Sequence, residues 1–391
     1  MKYLLSCACV LLAATPILAT TVEGTVYHDE DLSTISHYEQ QIDHCDAPLY
    51  QVEVSLIGTQ GQSTALTNGS GRFEFENVSA GTYLLDYEID AGHECTSNDR
   101  PAHVADAVRE GNLHIVTIGD SIGAVGSDVL YPQRLADHFA QLCEVEVTNL
   151  AKGGSTSFQW LPGADRGYFD ERLAPVLPAA DLLTITLGGN DPDPYIEGMP
   201  PYDVEQIVRN FLDHPEYLLE ILPNIKTIIE AAWAINPQCD VVFVVYPNFA
   251  LSSEMEGAMG DMHPLALFGM GLAMTIVREE LATMPGIVLG DMFGGLGDTW
   301  LDPYMLDMVH SNDAGHQLYA DIIFECLGGV VISNESRGEE RMIGFYAQDY
   351  LPDDDDDDDV APDDDDDSAG DDDGDHGASL PADSDEEQCC G

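Results

Sequence analysis

Residues 113–330 read as an α/β domain built on a parallel sheet, and three features predict it. Five short apolar runs, "LHIVTIGDS", "EVEVTNLA", "DLLTITLGGND", "DVVFVVYPN" and "GIVLGDMF", are rich in β-branched residues. Stretches of helical period separate them, among them "YPQRLADHFAQLC", "FDERLAPVLP" and "NDAGHQLYADIIFECL". Nearly every run ends in a turn of Gly, Asn or Asp. Unbroken apolar strands alternating with helices indicate a sheet covered on both faces. Such sheets place their chemistry beyond the carboxyl ends of the strands.

The preceding segment has a different texture. "VEGTVY", "YQVEVSLIG", "STALTN", "GRFEFENV" and "GTYLLDYEI" alternate apolar and polar residues between Gly-Ser-Gly and Ala-Gly turns. That pattern predicts a small β-sandwich. "AGHECTSNDRPAHVADAVREGN" reads as the joint to the larger domain. "VISNESRGEERMIGFYAQDYLP" reads as a final strand packing on a domain edge. The expected order is a signal peptide at 1–19, a sandwich at 20–99, a linker at 100–112 and the α/β domain at 113–330. An extension at 331–352 and an acidic tail at 353–391 follow.

The opening "MKYLLSCACVLLAATPILAT" has an early Lys, an apolar run and small residues near Ala19, the pattern of a secretory leader. The expected location is therefore outside the cell, free or at the cell surface, where disulfides are permitted. Cys45 and Cys95 would bracket the sandwich; the remaining pairings are not legible. The chain of 391 residues holds 13 Lys and Arg against 72 Asp and Glu, a formal charge of −59. From Asp353 onward, 18 Asp and 2 Glu without Lys or Arg give the tail −20 and leave −39 for the rest. Too little apolar content remains in that tail to offset its ordering entropy, so it is expected to be disordered and extended. Tail or sandwich would carry any surface association. Nucleic acid and anionic lipid headgroups are excluded as partners by repulsion.

The candidate site begins at "HIVTIGDSIGAVG", where an apolar strand stops at Gly119-Asp120-Ser121. Ser121 needs a base, a group to orient that base, and donors for an oxyanion. In "LDMVHSNDAGH", Asp307 precedes His310 by three residues, so one turn brings carboxylate against imidazole. Gly153 and Gly154 follow the second strand, and Asn190 follows the third, where its amide could donate to an oxyanion. Asp120 is read as a brace for the nucleophile turn, and His316 as a packing or capping residue. Neither a metal nor an organic cofactor is called for, and no Cys/His spacing matches a zinc site.

Together "GDSI" (119–122), "AKGGSTS" (151–157), "GGND" (188–191) and "DMVHSNDAGH" (307–316) resemble, in order, the motifs of the SGNH hydrolases, the GDSL esterase/lipase family. The resemblance covers residues 113–330. It implies a flavodoxin-like three-layer α/β/α domain with strand order 2-1-3-4-5. It also implies Ser121 as nucleophile, His310 as base and Asp307 as its orienter. The oxyanion hole would be the N–H groups of Ser121 and Gly154 with the Asn190 side chain. Residues 54–85 are similar to SdrD B-like or Cna B-like surface modules, through G-x-F-x-F followed by A-G-T-Y. The loop "HDEDLSTISHYEQQIDHCD" departs from their calcium-binding pattern, so a spacer role is preferred.

The implied function is hydrolysis of a small-molecule, lipid or glycan ester by a monomer, with short-to-medium acyl groups favoured. Alternatives are a polysaccharide O-acetyl esterase, an acyltransferase with the same site, or an inactive surface-displayed binding protein. Two inserts could shape the acyl pocket, "DPDPYIEGMPPYD" and the Met-rich "ALSSEMEGAMGDMHPLALFGMGLAMTIV"; the second reads equally well as a helix covering the sheet. Acidity of this degree makes the folded chain self-repelling at low ionic strength. The melting temperature is expected to rise from dilute buffer to molar sodium chloride; equal values would contradict a salt-adapted surface.

Overall fold

The computed structural model describes residues 20–28, 47–88, 93–94, 102–191, 216–284, 286–332 and 342–349. The leader, the loop after the first strand, most of the first insert, the acidic tail and Cys45, Cys95, Cys389 and Cys390 lie outside these residues. Among the described cysteines, Cys143, Cys239 and Cys326 are free thiols.

Five longer strands come first, beside two of two residues each: β1 (Thr20–His28), β2 (Glu53–Gly58), β3 (Gly61–Leu66), β4 (Arg72–Val78) and β5 (Gly81–Glu88). Helix α1 (Ala102–Glu110) follows, then β6 (Asn112–Gly119), α2 (Tyr131–Phe139), β7 (Glu144–Asn149) and β8 (Leu182–Thr186). The larger elements that follow are α3 (Glu216–Ile235), β9 (Asp240–Val245), α4 (His263–Ala282), β10 (Ile287–Asp291), α5 (Asp313–Cys326), β11 (Gly329–Ile332) and β12 (Met342–Asp349).

Strands β6 to β10 form one parallel sheet in the order β10-β9-β8-β6-β7, which is the expected 2-1-3-4-5 arrangement. Successive side chains point to opposite faces, and both faces are dry. Leu113, Ile115, Val242 and Val244 join one core with Val104, Leu135, Phe139 and Ile323 from α1, α2 and α5. Val116, Ile118, Val241 and Phe243 join the other with Ile225, Ile229, Ala273 and Val277 from α3 and α4. The Met-rich insert thus holds a helix that covers the sheet, burying Ala266, Ala273, Val277 and Leu281. The register pairs Thr186 with Gly119 and Thr117 with Asn149, so the carboxyl ends of β8, β6 and β7 lie close together.

Two expectations about organisation change. The predicted linker at 100–112 is largely helix α1, because Val104, Ala105, Ala107 and Val108 fall on one face and are buried. Its first turn is held by Asp240, whose carboxylate accepts the Val104 N–H at 2.7 Å. The second change concerns the β unit, which is completed by strands from beyond the α/β domain. Strand β11 pairs antiparallel with β5 and extends the sheet β11-β5-β2-β3, while β12 pairs parallel with β1, which also pairs antiparallel with β4. Val330 and Ile332 fill the same core as Val26, Leu56, Phe73 and Leu85, which explains the recruitment. Across the sheet, Ile57 and Leu84 face the opposite way and pack into the core of α1 and α2. Arg109 of α1 adds an ion pair to buried Asp86 of β5, so the β unit is fixed to the enzyme-like domain by apolar and charged contacts.

Candidate active site

Gly119 is where β6 leaves the sheet. Its φ is +149°, and a Cβ there would stand 2.0 Å from Thr186 Oγ1, so only glycine lets the chain turn at this point. The turn puts Ser121 on the surface of the carboxyl edge, half-buried. Asp120 sits behind it, 3 % exposed. Its Oδ1 accepts the Ile122 N–H at 2.9 Å, which is the bracing role expected of it. The turn continues to Gly126, which has φ +108° and packs so closely on the Ser311 carbonyl that a Cβ would lie 2.2 Å away. The Ser121 turn is thereby pressed against the segment that carries His310.

Asp307 and His310 are brought together. His310 Nδ1 lies 2.9 Å from Asp307 Oδ2, and the His310 and Val309 N–H groups donate to Asp307 Oδ1 at 2.8 and 3.0 Å. Burial opposes the charge on Asp307, yet these donors outweigh it and hold the carboxyl below its ordinary value. An anionic Asp307 fixes the tautomer with hydrogen on Nδ1, leaving Nε2 to act as a base. Among the described residues no hydrogen bond joins Ser121 to His310; in free enzymes such contacts are often long and tighten with substrate.

The loop after β7 approaches from the other side. Lys152 N–H and Ser155 Oγ both donate to the Gly119 carbonyl, at 2.8 and 2.9 Å. A Cβ on Gly153 would come within 3.9 Å of Ser121 Cβ, and Gly154 beside it is exposed with φ +75°. Asn190 is half-buried, and its amide donates one hydrogen to the Ser155 carbonyl at 3.1 Å. The second amide hydrogen and the N–H groups of Ser121 and Gly154 are the donors an oxyanion would need.

Two supporting residues, Asp191 and Tyr246, were not singled out from the sequence. Asp191 is buried and accepts the Ser157 N–H on both oxygens, at 3.1 and 3.0 Å, as well as the Ser157 hydroxyl; this ties the Asn190 loop to the Gly154 loop. Tyr246, at the end of β9, donates its hydroxyl to Asp120 Oδ2 at 2.7 Å and also meets the backbone at Gly189. One phenol therefore spans the Ser121 turn and the Asn190 loop. The available signal was a polar-tipped aromatic closing the apolar run "DVVFVVYPN". His316, read as a packing or capping residue, is fully buried. Its Nε2 donates to the Val125 carbonyl at 2.9 Å and Nδ1 accepts the Tyr131 N–H at 3.3 Å.

Burial raises the Asp120 carboxyl to about 6, while the donors Ile122 and Tyr246 work in the opposite direction. A carboxyl in the unfolded chain titrates near ~3.9. The folded chain thus holds this proton more tightly, a stabilisation complete below about pH 4 and lost as pH rises through about 6. Tyr246→Phe removes a donor to the anionic form and extends that loss to higher pH. The variant's melting temperature is expected to fall further below the native value as pH is raised from 5 to 8. Its kcat is expected to fall about tenfold at constant KM, because the Ser121 turn and the Asn190 loop, which would carry the oxyanion donors, lose their mutual spacing. An unchanged kcat would show that Tyr246 does not position them.

The GDSL-like Lipase/Acylhydrolase family profile matches residues 117–318, which include Ser121, Gly154, Asn190, Asp307 and His310. Solved structures of low identity are also similar. The lipase Lip_vut3 from a goat rumen metagenome is 17% identical, with a TM-score of 0.42, covering 55% of this chain and 98% of its own. The extracellular lipase from Streptomyces rimosus is 17% identical with a TM-score of 0.40, covering 55% and 99%. An acetylxylan esterase from Geobacillus stearothermophilus is 16% identical with a TM-score of 0.38, covering 55% and 94%. No curated protein matches the chain significantly. With the family profile spanning more than half of its length, the chain belongs to the GDSL-like lipase/acylhydrolase family and is a carboxylic ester hydrolase.

Proposed function

We propose that the protein is an exported serine esterase acting through Ser121, His310 and Asp307 on short-to-medium acyl esters. The observation that carries this reading is the Asp307–His310 pair on a segment packed against the Ser121 turn. In this mechanism His310 Nε2 takes the Ser121 hydroxyl proton as Oγ attacks the ester carbonyl. The developing imidazolium is stabilised by anionic Asp307, and the oxyanion is held by the N–H groups of Ser121 and Gly154 and the Asn190 amide. His310 then protonates the leaving alcohol, and water attacks the acyl-enzyme by the reverse sequence. Exposed Gly153, Gly154 and Gly189 leave the oxyanion side open, which suits acyl groups carried on a bulky alcohol. The N-terminal β unit, by its G-x-F-x-F and A-G-T-Y turns, is assigned the part of an SdrD B-like module that positions the enzyme on the cell surface.

Initial rates across p-nitrophenyl esters from acetate to palmitate test the reading. Activity is expected to peak at the short end, to vanish in Ser121→Ala, and to fall by about 10³–10⁴ in Asp307→Asn, which leaves the imidazole in the wrong tautomer. A native chain no faster than Ser121→Ala on every ester would overturn it.

A further inference from the structure

His310 stands on a short hairpin whose arms are residues 304–306 and 310–312. Met305 and Ser311 form an antiparallel bridge, and the Leu306 N–H donates to the His310 carbonyl at 2.7 Å. Asp307, Met308 and Val309 make the tip. A hairpin this short is marginal in water by itself, so whatever aims the imidazole lies outside it. The bonds to Asp307 orient the ring within the hairpin. The close packing of Gly126 on the Ser311 carbonyl bars the hairpin from moving towards the Ser121 turn, but a steric stop does not bar retreat.

Asn312 supplies the missing tie with every polar group it has. Its Nδ2 donates to the Pro303 carbonyl at 3.0 Å and to the Met305 carbonyl at 3.1 Å. Its Oδ1 accepts the Gly315 N–H at 3.1 Å, which caps α5. Its backbone N–H donates to the Tyr304 carbonyl, and its carbonyl accepts the His316 N–H, both at 2.9 Å. One side chain therefore fastens the arm entering the hairpin to the first turn of α5. The fit is close: a Cβ on Gly315 would stand 2.3 Å from the Tyr304 carbonyl oxygen.

The same turn of α5 holds the other half of the site. His316, one helical turn beyond Asn312, donates to the Val125 carbonyl at 2.9 Å, and the Val125 N–H donates to the Ser121 carbonyl at 2.9 Å. The bonded path from the hairpin to Ser121 thus runs through Asn312, the start of α5 and His316. Among the favoured capping side chains only Asn serves both ends of it. Ser, Thr and Asp can accept the Gly315 N–H, but they lack the two amide hydrogens given to Pro303 and Met305.

We propose that Asn312 is a positioning residue for His310, setting the reach of Nε2 to the Ser121 hydroxyl by tying the hairpin to the turn of α5 that holds Ser121. This rests on the esterase reading above and adds a residue to it. The test on the full chain separates capping from positioning. Asn312→Ala removes both functions, whereas Asn312→Ser and Asn312→Thr restore the cap without the amide donors. The melting temperature is expected to drop in the alanine variant and to return to within a few degrees of the native value in the other two. On p-nitrophenyl acetate, kcat is expected to stay about thirtyfold down in all three, with KM within about twofold of native. Labelling of Ser121 by a fluorophosphonate is expected to slow to the same degree. The downfield proton signal of His310 Nδ1–H, assigned by its loss in His310→Gln, is expected to persist in the serine and threonine variants. Recovery of native kcat and labelling together with the melting temperature would make Asn312 a cap alone and overturn the proposal. Loss of the Nδ1–H signal in both capped variants would also overturn it, since the hairpin would then have come apart rather than shifted. Slowed labelling in the capped variants of a chain that hydrolyses no ester would overturn the esterase reading alone.

Discussion

Everything at the carboxyl edge depends on how closely β6 and β8 approach where Gly119 lies against Thr186. No side chain fits between them, so the strand can leave the sheet abruptly and deliver Ser121 to the surface rather than to the core. The same short turn accepts bonds from its neighbours. The Gly119 carbonyl takes Lys152 N–H and Ser155 Oγ, the Asp120 carboxylate takes Ile122 N–H and the Tyr246 hydroxyl, and Gly126 abuts Ser311. Three loops from distant parts of the chain are thus referenced to one turn, residues 119–126. A catalytic constellation must hold its geometry to within fractions of an ångström, and in the proposed mechanism this shared reference would supply it.

Charge imposes a second constraint. The chain has few cations, and most of those described serve as ties between elements. Arg109 fastens the β unit to α1, Arg134 joins α2 to the start of α5, and Arg278 pairs with Asp291 in the core beneath α4. Positive charge in this protein is thus placed largely by structural need. It also explains why the domain can be so acidic and still fold: the core is apolar on both faces of the sheet, and its buried carboxylates are bonded.

Much of this was legible in the sequence because the signals are local. Ser121, Gly154 and Asn190 follow directly on recognisable strands, and parallel strands in a covered sheet end on one edge. Asp307 and His310 are three residues apart, so a single turn suffices to join them. What escaped the sequence depends on partners far along the chain. Tyr246 acquires its place only because β9 lies beside β8, which aligns its hydroxyl with Asp120. Strands β11 and β12 carry ordinary alternation, and nothing in them announces that they pair with β5 and β1, about 250 and 320 residues earlier. Helix α1 was hidden by its polar flanks, which read as a joint although Val104, Ala105 and Val108 share a buried face.

The central claim, that Ser121 is a nucleophile activated by its surroundings, is tested most directly by covalent trapping. The full chain would be treated with a fluorophosphonate at neutral pH, digested and analysed by mass spectrometry. A single adduct on Ser121, formed far more slowly in His310→Ala, is the predicted result. Labelling of another serine, or none under conditions where the chain remains folded, would contradict the account.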